Sequence, residues 1–115
     1  MVRHMTDSVI SVKSSGFQDA VVKASQPVVV DFYADWCGPC KMMEPVIHQL
    51  SKEYDGRVKF VKVDTDANQE LASQFGIMSI PTVMLFSKGK VEDIVVGAVR
   101  SDVLKSKIET LVKRA

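Results

Sequence analysis

Residues 28–41 read VVVDFYADWCGPCK and hold both cysteines of the chain, Cys37 and Cys40. The stretch opens with a nearly continuous run of β-branched and aromatic residues, which is typical of a strand buried on both faces. A single acidic residue, Asp31, interrupts that run. The stretch therefore predicts a buried strand that leads directly into a pair of thiols, with an acid in its middle that needs an explanation.

The overall composition is that of a globular protein. Its 115 residues are 46% apolar and 25% charged, and the formal net charge is +1. We expect a single domain over residues 1–115, with residues 1–5 as a disordered or artificially added leader. The near-neutral charge argues against a dedicated binder of nucleic acid or of anionic membranes.

No targeting segment is recognisable in the sequence. No apolar run approaches the ~20 residues of a membrane span, and the N-terminus lacks the apolar core of a secretory signal. We therefore expect a cytoplasmic protein, with a processed organellar form as the alternative. We also expect it to be a monomer.

Strand and helix patterns alternate along the chain. The predicted strands cover residues 8–12, 28–34, 58–64, 82–86 and 91–96. Helical spacing of apolar residues follows the first three strands and the last one. The order is β-α-β-α-β-α-β-β-α, which predicts an α/β fold with a mixed sheet covered by helices on both faces. Local signals predict a capping box at Ser15 and Gln18, helix caps at Asp66 and Ser101, and a helix that continues through Pro45.

The C-x-x-C spacing suits reversible disulfide chemistry. Residues three apart in a helix lie about 5–6 Å apart at Cβ, so Cys37 and Cys40 can form a bridge or remain a dithiol in nearly the same geometry. We expect Cys37 near a helix N-terminus, where free N–H groups favour a thiolate, and Cys40 in a more buried position. Cys37 then attacks a substrate disulfide and Cys40 resolves the mixed disulfide. Pro39 stiffens the turn, and Gly38 leaves room for a partner's backbone.

Two structural roles compete with this reading. A four-residue ring restricts the unfolded chain by only about 2 kcal/mol, so the pair is a poor staple. A zinc site needs four ligands, and only His4 and His48 remain as candidates of the usual kind. His48 lies eight residues past Cys40, about 12 Å along a helix axis, which is too far. We therefore expect no metal.

Several segments together resemble the thioredoxin family. They are WCGPC at 36–40 after VVVDFYAD, GIMSIPT at 76–82, KGK at 88–90 and VVGA at 95–98. The resemblance implies a thioredoxin fold with a central five-stranded mixed sheet flanked by four helices. It also implies a protein-disulfide reductase without a bound cofactor, which a thioredoxin reductase keeps reduced and which acts on disulfide-containing proteins.

The resemblance also gives roles to residues outside the cysteine motif. From the residues alone, Asp31 is a buried acid with a raised pKa, either a general base or a carboxylate satisfied by local backbone. The resemblance implies that Asp31 deprotonates Cys40, through water, and that Lys62 is the partner of Asp31. It further implies a cis Pro81 that presents the backbone of Ile80 to an extended substrate peptide.

A flat apolar collar is expected around the thiols. Its members are Trp36, Gly38, Pro39, Ile80, Gly97 and Ala98. Trp36 could alternatively be a core residue. Met78 is expected to be a packing residue that can also contact partners. Tyr33 and the pair Met78-Ser79 depart from the common family pattern, which puts partner preference in doubt.

Two rival functions stay open on the sequence. The residues between the cysteines tune the thiolate, so an oxidant or isomerase is one rival, although Gly-Pro favours a reductase. A binding module that recruits partners without electron transfer is the other. Neither the substrates nor the electron donor of the reductase, NADPH or ferredoxin, can be read from the residues.

Overall fold

The computed structural model describes residues 8–114, so the expectation for residues 1–5 lies outside the described part. Five strands form one sheet: β1 (Val9–Ser11), β2 (Val28–Tyr33), β3 (Lys59–Asp64), β4 (Thr82–Ser87) and β5 (Lys90–Val96). The α-helices are α1 (Gly38–Glu53), α2 (Gln69–Gln74) and α3 (Ser101–Arg114). With the helical segment after β1, described below, this confirms the predicted α/β fold.

The strand order β1-β3-β2-β4-β5 places β2 at the centre of the sheet. β1, β3 and β2 run parallel, whereas β4 and β5 add an antiparallel hairpin. In this register Asp31 lies between Lys62 on β3 and Val83 on β4. The central position explains why β2 is apolar throughout except at Asp31, because both of its faces are covered.

Two apolar layers lie on the two faces of the sheet. One contains Met43, Ile47 and Leu50 of α1 together with Leu104 and Ile108 of α3. The other contains Phe17 and Val21 of the first helical segment with Leu71 of α2. The helical spacing of apolar residues in the sequence therefore identified the faces that pack on the sheet.

The first predicted helix is irregular. The chain forms a 3₁₀ turn at Ser14–Gly16 and then a π-helical segment at Gln18–Val22. The predicted capping box is wrong, since neither piece has a side-chain cap. Tertiary contacts decide the geometry here. The backbone N–H of Ser14 donates to Asn68 Oδ1 at 2.9 Å, and the Phe17 ring packs against Phe75 and Phe86.

The helix boundaries are close to the predicted ones, but their caps differ. Helix α1 does continue through Pro45. The predicted cap at Asp66 is wrong, because Asn68 precedes α2 and no side chain caps it. Asp64 instead accepts hydrogen bonds from the N–H groups of Asp66 and Ala67, which turns the chain before the helix. Ser101 is the first residue of α3 and does not precede it.

Within residues 8–114, none of the helices has the length and apolar character required to cross a bilayer.

Candidate active site

The cysteine pair lies at the start of helix α1, just after the short connection from strand β2. Cys37 occupies the N-cap of α1 and Cys40 lies in its first turn, with their Cα atoms 5.2 Å apart and a disulfide between them. The backbone N–H of Cys37 donates to the carbonyl of Ala34 at 3.2 Å, which fixes the turn after the strand. The Cα separation falls within the usual range for a disulfide, so the bridge closes here with the helical backbone intact.

The surroundings of Cys37 favour a charged sulfur after reduction. Its Sγ accepts a hydrogen bond from the backbone N–H of Cys40 at 3.1 Å and lies 3.7 Å from the carbonyl oxygen of Ile80. Helix N-termini carry free N–H groups and a positive partial charge, both of which stabilise a thiolate. The N-cap position predicted for Cys37 is therefore confirmed.

The expected difference in burial between the two cysteines is wrong. Each residue is only 4% exposed, because Ala34, Tyr33 and Ile80 pack against the pair. Burial raises the pKa of any thiol and acts here on both. Any chemical asymmetry between the sulfurs therefore depends on the hydrogen bond and the helix terminus at Cys37, and not on exposure.

Asp31 is almost completely enclosed. It is 5% exposed, and its Oδ1 has no hydrogen-bond partner among the described residues. Burial raises the pKa of Asp31 from its ordinary value of 3.8 to about 7. The positive charge of Lys62 opposes this rise, and the negative charge of Glu44 adds to it. Asp31 is therefore an acid that changes its charge near neutral pH.

A polar crevice connects Asp31 with Cys40. We define it by the four side chains Asp31, Cys40, Glu44 and Lys62, and its volume is about 40 Å³. A water molecule requires roughly 10–15 Å³ and polar partners, so the crevice can hold one between carboxylate and sulfur. A second, larger cavity of about 550 Å³ continues from Asp31 past Glu44 to His48.

Lys62 lies in the crevice without touching Asp31 directly. No ion pair joins them among the described residues, and the Lys62 ammonium lies 5.9 Å from the centre of the Tyr33 ring. Lys62 is nevertheless the register neighbour of Asp31. Its effect on Asp31 is therefore that of a nearby charge and not of a hydrogen-bond partner.

The loop before β4 holds the other residues that the resemblance picked out. The Ile80–Pro81 peptide bond is cis. The carbonyl of Pro81 accepts a hydrogen bond from the Gly97 N–H at 2.8 Å, which joins this loop to the end of β5. Gly97 has a φ of +91°, a backbone conformation that favours glycine. The structure thus joins Pro81 to Gly97 and places the carbonyl of Ile80 beside Cys37.

The collar residues lie at the surface around the disulfide. Trp36 is 72% exposed, which rules out its alternative reading as a core residue, and Met78 is 94% exposed. Gly38, Pro39 and Ala98 are exposed, whereas Ile80 and Gly97 are half-buried. The indole N–H of Trp36 donates to Asp66 Oδ2 at 2.8 Å. Asp66 therefore holds the indole in place, a role that no local pattern in the sequence predicts.

Glu44 is the second residue that sequence reasoning missed. It follows Cys40 by one helical turn and lines both cavities beside Asp31. The spacing of four residues from Cys40 is a signal that could have identified it. No group of three or more histidine, cysteine or acidic residues within residues 8–114 is arranged to hold a metal ion.

Comparison with known proteins agrees with this site. The family model described as Thioredoxin matches residues 8–110. The chain belongs to the thioredoxin family. It is 48% identical over 98 residues to Thioredoxin 1 of Nostoc sp., a match that spans 85% of this chain and 92% of that relative. Over the same shares it is 49% identical to Thioredoxin of Synechocystis sp.. It is also 44% identical to the chloroplastic M-type thioredoxin of Brassica napus, matching 85% of this chain and 55% of that protein.

Family membership and the adjacent cysteines define the chemistry. The thioredoxin domain is a thiol–disulfide oxidoreductase that reduces disulfides in protein substrates by dithiol–disulfide exchange at Cys37 and Cys40. Membership in this family implies disulfide-containing substrates and a reductase that restores the dithiol.

Proposed function

We propose that Cys37 is the attacking sulfur and Cys40 the resolving sulfur of this reductase. The Cys37 thiolate attacks one sulfur of a substrate disulfide, forms a mixed disulfide and releases the first substrate thiolate. The Cys40 thiolate then attacks Cys37 Sγ, which breaks the mixed disulfide, releases the second substrate thiolate and leaves the Cys37–Cys40 bridge. The observation that carries this order is the hydrogen bond from the Cys40 N–H to Cys37 Sγ at the N-cap of α1.

Asp31 is the general base of the resolving step. Its pKa of about 7 lets the ionised form accept a proton near neutral pH. The crevice has room for one water between Asp31 and Cys40. The proton passes from the Cys40 thiol through this water to the carboxylate, while the charge of Lys62 stabilises the ionised base.

The apolar collar docks the substrate. Trp36, Gly38 and Pro39 are exposed next to the reacting sulfur, and the Ile80 carbonyl lies 3.7 Å from Cys37 Sγ. Pro81, with its cis bond, positions the backbone of Ile80 to pair with an extended substrate peptide, as an added strand would. Gly97, whose N–H donates to the Pro81 carbonyl, and the exposed Ala98 complete the collar.

The proposal extends to the physiological setting. A thioredoxin reductase restores the dithiol, and the chain works as a single-domain monomer without metal or bound cofactor. The net charge of +1 supports a protein that binds neither nucleic acid nor membranes. We propose a cytoplasmic location, although M-type relatives described as chloroplastic make an organelle the alternative.

Reduction of insulin disulfides with NADPH and a thioredoxin reductase tests the proposal. We expect turnover by the wild-type chain and none by Cys37→Ser. Failure of the wild-type chain with NADPH- and ferredoxin-dependent reductases alike would contradict the assigned partner. Equilibration with glutathione separates a reductase from an oxidant, since a midpoint well above about −230 mV would exclude a strong reductant.

A further inference from the structure

Glu44 shares the polar crevice with the proposed base but has no assigned role. It follows Cys40 by four residues on α1, so the two side chains lie on the same face of the helix. It lines both the small cavity next to Cys40 and the larger one that continues to His48. Glu44 is exposed, whereas Asp31 is enclosed. The crevice therefore holds two carboxylates, one exposed and one almost completely enclosed.

Lys62 is the cation that the two carboxylates have in common. It lines both cavities together with Asp31 and Glu44. Within residues 8–114 it forms no ion pair with either of them. Asp31 therefore experiences the positive charge of Lys62 and the negative charge of Glu44 together, and removal of the Glu44 charge changes the electrostatic surroundings of Asp31.

We infer that Glu44 is a positioning residue for the resolving step, a second carboxylate at the crevice that sets the pH range over which Asp31 can take the proton of Cys40. The inference rests on the proposed role of Asp31 as general base. Glu44 itself touches neither substrate nor a reacting sulfur. It acts through the charge that it places beside Asp31 and Lys62.

The direction of the effect follows from the sign of the charges. A negative Glu44 disfavours a second negative charge on Asp31, so Asp31 ionises at a higher pH than it would otherwise. Removal of that charge lets Asp31 ionise at a lower pH. The same removal favours the Cys40 thiolate, so both effects move the resolving step toward lower pH.

Other charged or titratable groups face Asp31 as well and must be separated from Glu44. Lys62 faces it from β3, and Lys41, Glu44 and His48 from α1; Tyr33 and Asp35 lie at the end of β2. The neighbour on β4 is the apolar Val83. Among the carboxylates of α1, only Glu44 lines both cavities.

The test compares Glu44→Gln with Glu44→Asp and with the control Glu70→Gln. Glu70 is an exposed residue of α2 that lines neither cavity. The Asp31 carboxyl is titrated by ¹³C NMR in the oxidised protein and assigned with Asp31→Asn. The reduced protein is then mixed with an aromatic disulfide whose two thiols absorb on release. The first release reports attack by Cys37 and the second reports resolution by Cys40.

We expect Glu44→Gln to move both the Asp31 midpoint and the midpoint of the second release to lower pH, by roughly 0.3–1 pH unit. Glu44→Asp should restore most of the wild-type profile, and Glu70→Gln should match the wild type. Because Glu44 is exposed to solvent, the difference should shrink between about 0.01 M and 1 M salt. A fold perturbation without a charge effect would show neither the rescue nor the salt dependence.

Two results would overturn the inference. The first leaves the proposed role of Asp31 intact, and the second contradicts it as well. If Asp31→Asn abolishes the pH dependence of the second release but Glu44→Gln leaves it unchanged, the role of Glu44 is wrong and that of Asp31 stands. If Asp31→Asn also leaves the profile unchanged, Asp31 is not the base and the inference fails with it.

Discussion

The two sides of the cysteine pair are built from opposite kinds of residue. On the outer side, the collar presents apolar surface at Trp36 and backbone at Gly38 and Ile80, with Trp36 72% exposed. On the inner side, Asp31 is 5% exposed and faces Cys40 across a polar crevice. In the proposed mechanism, docking and proton transfer therefore use separate residues that meet at the two sulfurs. Substitutions on one side should therefore leave the function of the other intact.

The largest effect is expected where the two sides meet. Cys40→Ser removes the resolving sulfur, so turnover should stop while a stable mixed disulfide accumulates on Cys37. Cys37→Ser should also stop turnover but accumulate no adduct. Mass spectrometry after incubation with oxidised insulin distinguishes the two variants. If Cys37→Ser forms a mixed disulfide on Cys40 in the same yield as Cys40→Ser forms one on Cys37, the assignment of Cys37 as the attacking sulfur is contradicted.

The next largest effect is on the free energy of unfolding of the protein, and it comes from Asp31 on the inner side. The folded-state pKa of Asp31 is about 7, above the ordinary 3.8. Between these values the folded state holds a proton that the unfolded state releases, so stability falls as pH rises from about 4 to about 7. Asp31→Asn removes this loss and should stabilise the oxidised protein by about 2–4 kcal/mol at pH 9.

Urea unfolding at pH 4 and pH 9 measures the difference. At pH 4 most of the carboxyl is protonated in the folded state, so only a small part of the gain should appear there. A matched control is Asp55→Asn, since Asp55 is exposed and lines neither cavity. An equal gain for Asp31→Asn at both pH values would show that the stability difference does not come from ionisation of Asp31.

A smaller effect is expected from the outer side. Trp36→Ala removes the largest apolar group of the collar, and loss of a central aromatic contact costs roughly 1.4–2 kcal/mol of binding. We expect kcat/KM with a protein disulfide to fall about 10- to 30-fold, mostly through KM. The rate with a small disulfide should change little. Asp66→Asn retains the indole but weakens its anchor, so its effect should be intermediate.

The smallest effect is expected at Met78, and a matched variant at Ile10 tests whether any exposed apolar residue would have the same effect. Met78 is 94% exposed near the collar, whereas Ile10 is 51% exposed on β1, at the opposite edge of the sheet from β5. Met78→Ser should lower kcat/KM for protein substrates about 2- to 5-fold, as expected for a partly buried apolar contact. Ile10→Ser should have no effect. Equal losses in both variants would show that the docking surface extends beyond the collar.

The fold was predictable because the strands carry strong local signals. The apolar run of β2 is typical of a strand covered on both faces, and the helical spacing of Met43, Ile47 and Leu50 identifies the face of α1 that packs on the sheet. The first helix was mispredicted because its geometry depends on residues more than 50 positions away. Phe17 packs against the rings of Phe75 and Phe86, and the Ser14 N–H donates to the Asn68 side chain. Local capping signals cannot report such contacts.

The site was predictable to the extent that it is local in sequence. The position of Cys37 at the helix start follows from the motif itself. The equal burial of the two cysteines does not, because it depends on Ile80, which approaches from another loop. Likewise, Lys62 faces Asp31 only through the parallel register of β2 and β3. The resemblance supplied that pairing, and the strand patterns did not.

The central claim is that the two sulfurs differ in acidity although they are equally enclosed. Alkylation of the fully reduced protein by iodoacetamide, measured at each cysteine by peptide mass spectrometry across pH, tests it most directly. We predict that Cys37 reacts with a midpoint below the value of about 8.5 for free cysteine and far faster than Cys40 at pH 7. Equal rates at pH 7, or a midpoint for Cys37 at or above that of free cysteine, would contradict the account.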